Sequence, residues 1–460
     1  MKIGLLPLYV KLYDDCVPVL KRQLQPFYDE IVKLFSDRGV DVVTSEFCRV
    51  EGEFDNAVNA FENADVDAIV TLHMAYSPSL ESIKPLSETK LPIIVLDTTS
   101  IFEFGNMQNP EAIMSCHGIH GVMDMCCMLK RYGKDYAIAA GHYAESDVID
   151  RVCGYVRAAM AKKAFSETKV AVFGGLFDGM GDFRVENKKL YDRFGIKVIE
   201  KNADEMTEYE KAVSDDEIVL EYANDKEKYD FDENVIEEEY RETIRSCLAI
   251  RKCIRDEKFT AFTANFRNMG TKAGISSMPF LEACKSMERG IGYAGEGDPL
   301  TASLVGALLA GYADTTFVEI FCPDWKNNML FLSHMGEVNY RIVNSKPIIK
   351  RAETNYADGP MPYAGYARMK GGRGVFVNIC PTKDDFRLVF CHAEMQNFKT
   401  DNFSDSIRGW MKPENFTTAE FLEKLSINGA THHSAFVYGA KTEELEYFGR
   451  LLGIETVVIG

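Results

Sequence analysis

The sequence predicts an α/β protein: two domains built on parallel sheets, followed by a β-rich antiparallel, barrel-like domain at the C-terminus. Three observations predict it. Up to about residue 165, short β-branched runs alternate with amphipathic helical stretches, the pattern of a parallel sheet with helices on both faces. A further strand, KVAVFGG at 169–175, starts a second unit of the same kind. From about residue 313 the strands shorten and follow one another through Gly-rich turns such as KGGRG, as in antiparallel sandwiches and barrels. The predicted domains are 1–165, 166–312 and 313–460. A chain of 460 residues is in any case too long for one hydrophobic core.

In the first domain the strands are KIGLLPLYV, VDVVTSEF, VDAIVTLHM, PIIVLDTT and DYAIAAGHY. Residues 15–38, closed by Gly39, and residues 145–163 carry helical periodicity. In the second domain KVAVFGG is followed by IKVIE at 196–200, a helix near 232–257, and FTAFTANF at 259–266. Residues 203–240 are densely acidic, which reads as a solvated helical face. The third domain offers TTFVEIF, NMLFLSH, PIIKR, YARMK, GVFVNIC and FRLVFCHA as strands, then the helix TEELEYFGRLLG and the strand TVVIG.

Apolar residues make up 46% and charged residues 27%, the balance of a globular chain, and the net charge is −18. An acidic surface of that size disfavours nucleic-acid and anionic-membrane partners. The N-terminus reads as a strand rather than a signal, and no apolar stretch approaches the length of a bilayer span, so a cytoplasmic location is expected. The twelve cysteines lack C-x-x-C pairing and read as reduced, apolar residues without chemistry. FGGLFDGMGDF follows a strand but lacks both G-x-G-x-x-G spacing and a Walker lysine, which argues against a phosphate cradle.

The stretch GYAGEGDPLTASL at 292–304 sets Glu296 between two glycines, with Asp298 as N-cap and Pro299 at the first position of a helix. Glu319, in FVEIF, has apolar strand neighbours, and a buried unpaired carboxylate is costly, so it needs a cation or a proton. Three of the eight histidines, His334, His432 and His433, lie beside strand-like runs in the third domain. Two carboxylates and one or two imidazoles meeting at a point would form a mixed oxygen and nitrogen site. Mn²⁺ suits such a set, with Co²⁺ or Mg²⁺ tolerated.

GYAGEGD, FVEIF, LSHMGEV and NGATHHSAF resemble, in order and spacing, the metal-site motifs of the L-arabinose isomerase family. LHMAYSP at 72–78, HGIHG at 117–121, AAGHYAESDVIDRVCGYVRAA at 139–159 and FTAFTANF are similar to further family segments in the same order. The resemblance implies that Glu296, Glu319, His334 and His433 bind the metal and that Glu296 and Glu319 form the acid and base pair. It implies that His120, Met180 and Phe266 contact the sugar, His120 from a neighbouring subunit, within trimers or hexamers. The implied activity is metal-dependent aldose–ketose isomerisation through a cis-enediol, on a pentose, deoxyhexose or modified sugar. A related metal-dependent epimerase or lyase, or a sugar-binding protein without turnover, are the alternative readings.

The departures from the family pattern cluster where a sugar would be held. The glutamine-containing segment after the first strand has no counterpart in LLPLYVKLYDD, Ile320 and Phe321 replace a polar, aromatic continuation, and FGGLFDGMGDF carries an insertion near Met180.

Overall fold

The computed structural model describes residues 1–353 and 358–460. It divides into two compact units, Met1–Met160 and Ala161–Gly460. In the first, five parallel strands lie in the order Asp41–Thr44, Lys2–Leu8, Ala68–His73, Ile93–Asp97, Tyr136–Ala140. Ala68–His73 is buried along its whole length, as expected of a central strand covered by helices on both faces. Phe54, Phe61, Ile83, Leu86, Val122 and Leu129 close over one face of this sheet.

One helical run in this unit, 110–131, is long and apolar enough by composition to be compared with a membrane span, which the sequence reading did not anticipate. It consists of three consecutive short helices, Pro110–Ala112, Ile113–Cys116 and Ile119–Arg131. The last of these buries Val122, Met125 and Leu129 against the sheet core.

The second unit contains a four-stranded parallel sheet, in the order Gly292–Gly295, Ala261–Ala264, Lys169–Phe173, Lys197–Lys201. It also contains a closed antiparallel barrel. Around the barrel the strands run Gly372–Pro381, His433–Tyr438, Thr315–Asp324, Met329–Ser333, Gly409–Pro413 and Phe386–Met395, and the last pairs with the first. Glu455–Val458 adds to the outside of Phe386–Met395 in parallel. The helix Pro299–Gly311 packs against both the parallel strands and the barrel strands. Its sequence is apolar on all sides, which fits a helix with no solvated face. Because this helix begins directly after Glu296, its packing fixes where that loop meets the barrel.

Three local expectations change. YARMK is strand only at Tyr366: pairing runs through Tyr363–Tyr366, after which Arg368 and Met369 make single bridges to Arg408 and Val343, and the Arg368 side chain donates to Asp401. Gly409–Pro413 is a barrel strand that is not among the strands expected from the sequence. The helix near 232 begins at Glu237, because Asp230–Phe231 forms a short strand beside Ile348–Arg351. The acidic stretch forms two helices, Ala203–Lys211 and Asp215–Lys228.

Candidate active site

Four candidate residues come from two sources within the second unit. Glu296 stands at the carboxyl end of Gly292–Gly295, where open parallel sheets present ligand-binding loops. Glu319 lies in the barrel strand Thr315–Asp324, directly opposite His433 on one side and Ser333 on the other. Directly opposed residues of antiparallel strands share a face, so Glu319 and His433 point the same way. His334 follows Ser333. A β-bulge lies between Ile320 and Cys322, immediately after Glu319, and leaves Phe321 half exposed.

The Glu296 turn explains its two glycines. A Cβ on Gly295 would sit 2.7 Å from Cε1 of His334, so a side chain there would displace that ring. Gly297 has φ +83°, and its Cβ would sit 2.4 Å from the carbonyl oxygen of Gly175. Glu296 itself has φ 63°, a left-handed conformation that costs a non-glycine residue about 1–2 kcal/mol. Three hydrogen bonds hold it there. Glu296 N donates to Ala264 O at 3.0 Å, Phe177 N donates to Glu296 O at 2.9 Å, and Gly297 N donates to Thr263 Oγ1 at 3.0 Å.

Glu296, Glu319, His334 and His433 converge. The Nε2 of His334 lies 3.7 Å from Glu319 Oε2, and the Nε2 of His433 lies 3.6 Å from Glu296 Oε2. Behind each ring stands a carboxylate: Glu337 Oε2 is 2.6 Å from His334 Nδ1, and Asp298 Oδ2 is 3.0 Å from His433 Nδ1. Phe183 stacks on His433 at 5.1 Å, and Phe317 meets both rings edge-on. Glu337 is itself tied to the Tyr293 hydroxyl, which donates to Oε1 at 2.7 Å.

The electrostatics follow from this crowding of charge. Burial opposes a charge on His334, but Glu337, Glu319 and Glu296 outweigh it and raise its pKa to about 9. Burial likewise pushes the Glu337 carboxyl up, and His334 beside it more than reverses that. Glu296 is also held below the usual carboxylate range. Burial would raise it, while the hydrogen bond with His432 and the nearby His433 and His334 lower it further.

The residues fit a divalent cation. The Nε2 of His433 is buried and has no hydrogen-bond partner among the described residues, although its Nδ1 has one. A carboxylate on Nδ1 fixes the tautomer whose Nε2 lone pair is bare, the state in which imidazole ligates a metal. Glu296 and Glu319 supply hard oxygens on either side.

Met180 and Phe266 lie on the loops that leave the neighbouring strands Lys169–Phe173 and Ala261–Ala264, at the same end of the sheet as Glu296. Phe266 opens a short 3₁₀ turn, and Phe177 packs 5.6 Å from its ring. His120 is exposed and belongs to the first unit.

Sequence reasoning missed the carboxylates behind the rings. Asp298 was legible only as an N-cap; its Oδ1 does accept from Thr301 N, while Oδ2 serves His433. Glu337 and Asp182 carried no pattern, although Glu337 sits three residues after His334.

The enzymes this chain resembles over most of its length define the class: the protein is a sugar isomerase that interconverts an aldose and a ketose. The L-arabinose isomerase central domain matches residues 181–310 and the L-arabinose isomerase C-terminal domain matches residues 314–455. The chain belongs to the L-arabinose isomerase family. It is 27% identical to the L-arabinose isomerase of Geobacillus kaustophilus (strain HTA426) over 411 residues, 85% of this chain and 80% of that enzyme. It is 23% identical to the L-arabinose isomerase of Leuconostoc mesenteroides over 465 residues, 96% of each chain.

Proposed function

We propose that this isomerase is metal-dependent and works through a cis-enediol on a pentose, deoxyhexose or modified sugar. The observation that carries the reading is the meeting of Glu296 and Glu319 around imidazoles whose outer nitrogens are each held by a carboxylate. Glu296, Glu319, His334 and His433 would hold the ion, with Mn²⁺ as the best match and Co²⁺ or Mg²⁺ as alternatives. A divalent ion held by these residues would supply positive charge beside the sugar oxygens.

The chain's own residues move the protons. The two glutamates form the acid and base pair. One removes the C2 proton, and that group or the other delivers a proton to C1, while the remaining glutamate takes the O2 hydroxyl proton and O1 gains one, so that the C1 carbonyl becomes a hydroxyl and the C2 hydroxyl a carbonyl. Glu337 and Asp298 hold His334 and His433 in one orientation, so the pair of carboxylates keeps its spacing. Met180 and Phe266 line the sugar side, and His120 reaches it from a second copy in a cytoplasmic homo-oligomer, a trimer or hexamer. Support for a protein interface comes from Phe102, Phe104 and Met107, which are exposed together in the first unit.

Glu296→Gln and Glu319→Gln test the assignment. Each keeps side-chain volume and removes the base, so turnover is expected to fall roughly 10²- to 10⁴-fold with the fold intact by circular dichroism. Near-parental turnover in Glu319→Gln would remove it from the pair.

A further inference from the structure

Three imidazoles, not two, face the glutamates. His432 precedes His433, and the pattern around it repeats that of His334 and His433. Its Nδ1 is 2.6 Å from Asp182 Oδ2, and its backbone N donates to the same oxygen at 2.9 Å. Its Nε2 lies 3.5 Å from Glu296 Oε2. The corresponding spacings are 3.6 Å for His433 and 3.7 Å for His334.

These three distances are at or beyond the limit of a good hydrogen bond. They match what two donors of one ion require, since bonds of about 2.0–2.2 Å at ordinary angles set donor atoms roughly 3–4 Å apart. Glu296, His432 and His433 alone bring one donor atom each within 4.8 Å of one another, as Glu319, His334 and His433 also do. The two triads share His433.

We propose that His432, held by Asp182, is a fifth protein donor to the ion at this site. This rests on the metal-dependent reading above. His432 is a third exposed, unlike the two buried rings, so it closes the solvent side of the ion. The loop carrying Asp182 descends from the strand Lys169–Phe173, which ties this donor to the parallel sheet while its ring stands on the barrel. The donor set then joins both parts of the second unit twice, through Glu296 and through Asp182.

Titration of the metal-free protein with Co²⁺, followed by calorimetry and by the visible ligand-field spectrum, tests this without reference to turnover. His432→Gln is expected to weaken Co²⁺ binding at least tenfold and to change the band positions and intensity. Asp182→Asn, which keeps the imidazole but alters its support, is expected to weaken binding less and to keep the spectrum nearer to the parental one. Parental affinity with an unchanged spectrum in His432→Gln would overturn the proposal while leaving the four-donor site standing. Failure of the parental protein to bind Co²⁺ would overturn both, and the two failures are thus distinguishable. Should His432→Gln fail to fold, pulsed electron paramagnetic resonance of the Mn²⁺-loaded parental protein decides. Three coupled imidazole nitrogens support the proposal and two overturn it.

Discussion

Glu296 occupies a backbone conformation that glycine would adopt at no steric cost, and it is flanked by residues that must be glycine. A carboxylate retained at such a position implies that its chemistry outweighs the strain. Replacing Glu296 with glycine should relieve the left-handed strain, and replacing it with alanine should not. Glu296→Gly is therefore expected to be more stable than Glu296→Ala by about 1 kcal/mol, the reverse of the usual order at an extended or helical site. Denaturant unfolding of the two metal-free variants checks this, and a less stable glycine variant would contradict the backbone account.

The imidazoles make a second prediction at the same scale. His334 has its pKa raised from 6.5 to about 9, and His432 from 6.5 to about 10, once burial is outweighed by the acids around each. A raised folded-state pKa adds stability that is fully present below the unfolded value and is lost as pH rises through the folded one. The metal-free protein is accordingly expected to lose thermal stability progressively between about pH 6.5 and pH 10. Adding Mn²⁺ should flatten that slope, because a ligated imidazole has already given up its proton. Melting curves across this range, with and without the ion, check both halves.

At the scale of elements, the segment that delivers the histidines is held from the next strand over. Asn378, buried in Gly372–Pro381, donates through Nδ2 to the carbonyls of Thr431 and His433, each at 2.8 Å, and accepts from Thr431 N at 3.1 Å. Asn378→Leu removes the partner of the Thr431 amide and carbonyl, while the His433 carbonyl keeps only the Thr431 hydroxyl at 3.0 Å. It is expected to destabilise the fold by about 1–3 kcal/mol for each group stranded and to weaken metal binding without touching a ligand. Calorimetric melting together with Mn²⁺ titration separates the two effects.

How much was legible depended on whether a feature lay within one element. The alternation of strands and helices, the hairpin from GVFVNIC to FRLVFCHA, and the cap at Asp298 are local, and they could be read. The closing of the barrel through Gly372–Pro381 and His433–Tyr438 depends on partners more than fifty residues apart, so the sequence predicted a barrel-like domain without its strand order. Among the site residues, Glu296 and Glu319 stood out because a charge sat among glycines or apolar neighbours. His432 and His433 are adjacent and alike in sequence; only the register that sets His433 opposite Glu319 gives them different surroundings. Glu337 and Asp182 were hidden because a carboxylate that holds a ring needs no sequence pattern, only the right neighbour in space.

For the whole molecule, the second unit brings a parallel sheet and a closed barrel onto one apolar helix, and the two glutamates proposed as the acid and base pair are divided between them. Chemistry then requires both parts at once, while the departures after the first strand, at Ile320 and Phe321, and near Met180 concern what sugar is held. NMR of a sugar panel in deuterated buffer with Mn²⁺, covering pentoses, 6-deoxyhexoses and 6-substituted hexoses, tests metal-dependent isomerisation at this site. Metal-dependent formation of one ketose carrying deuterium at C1 is expected. Exchange at C2 with no ketose, or loss of carbon, would contradict it and make the same site that of an epimerase or a lyase.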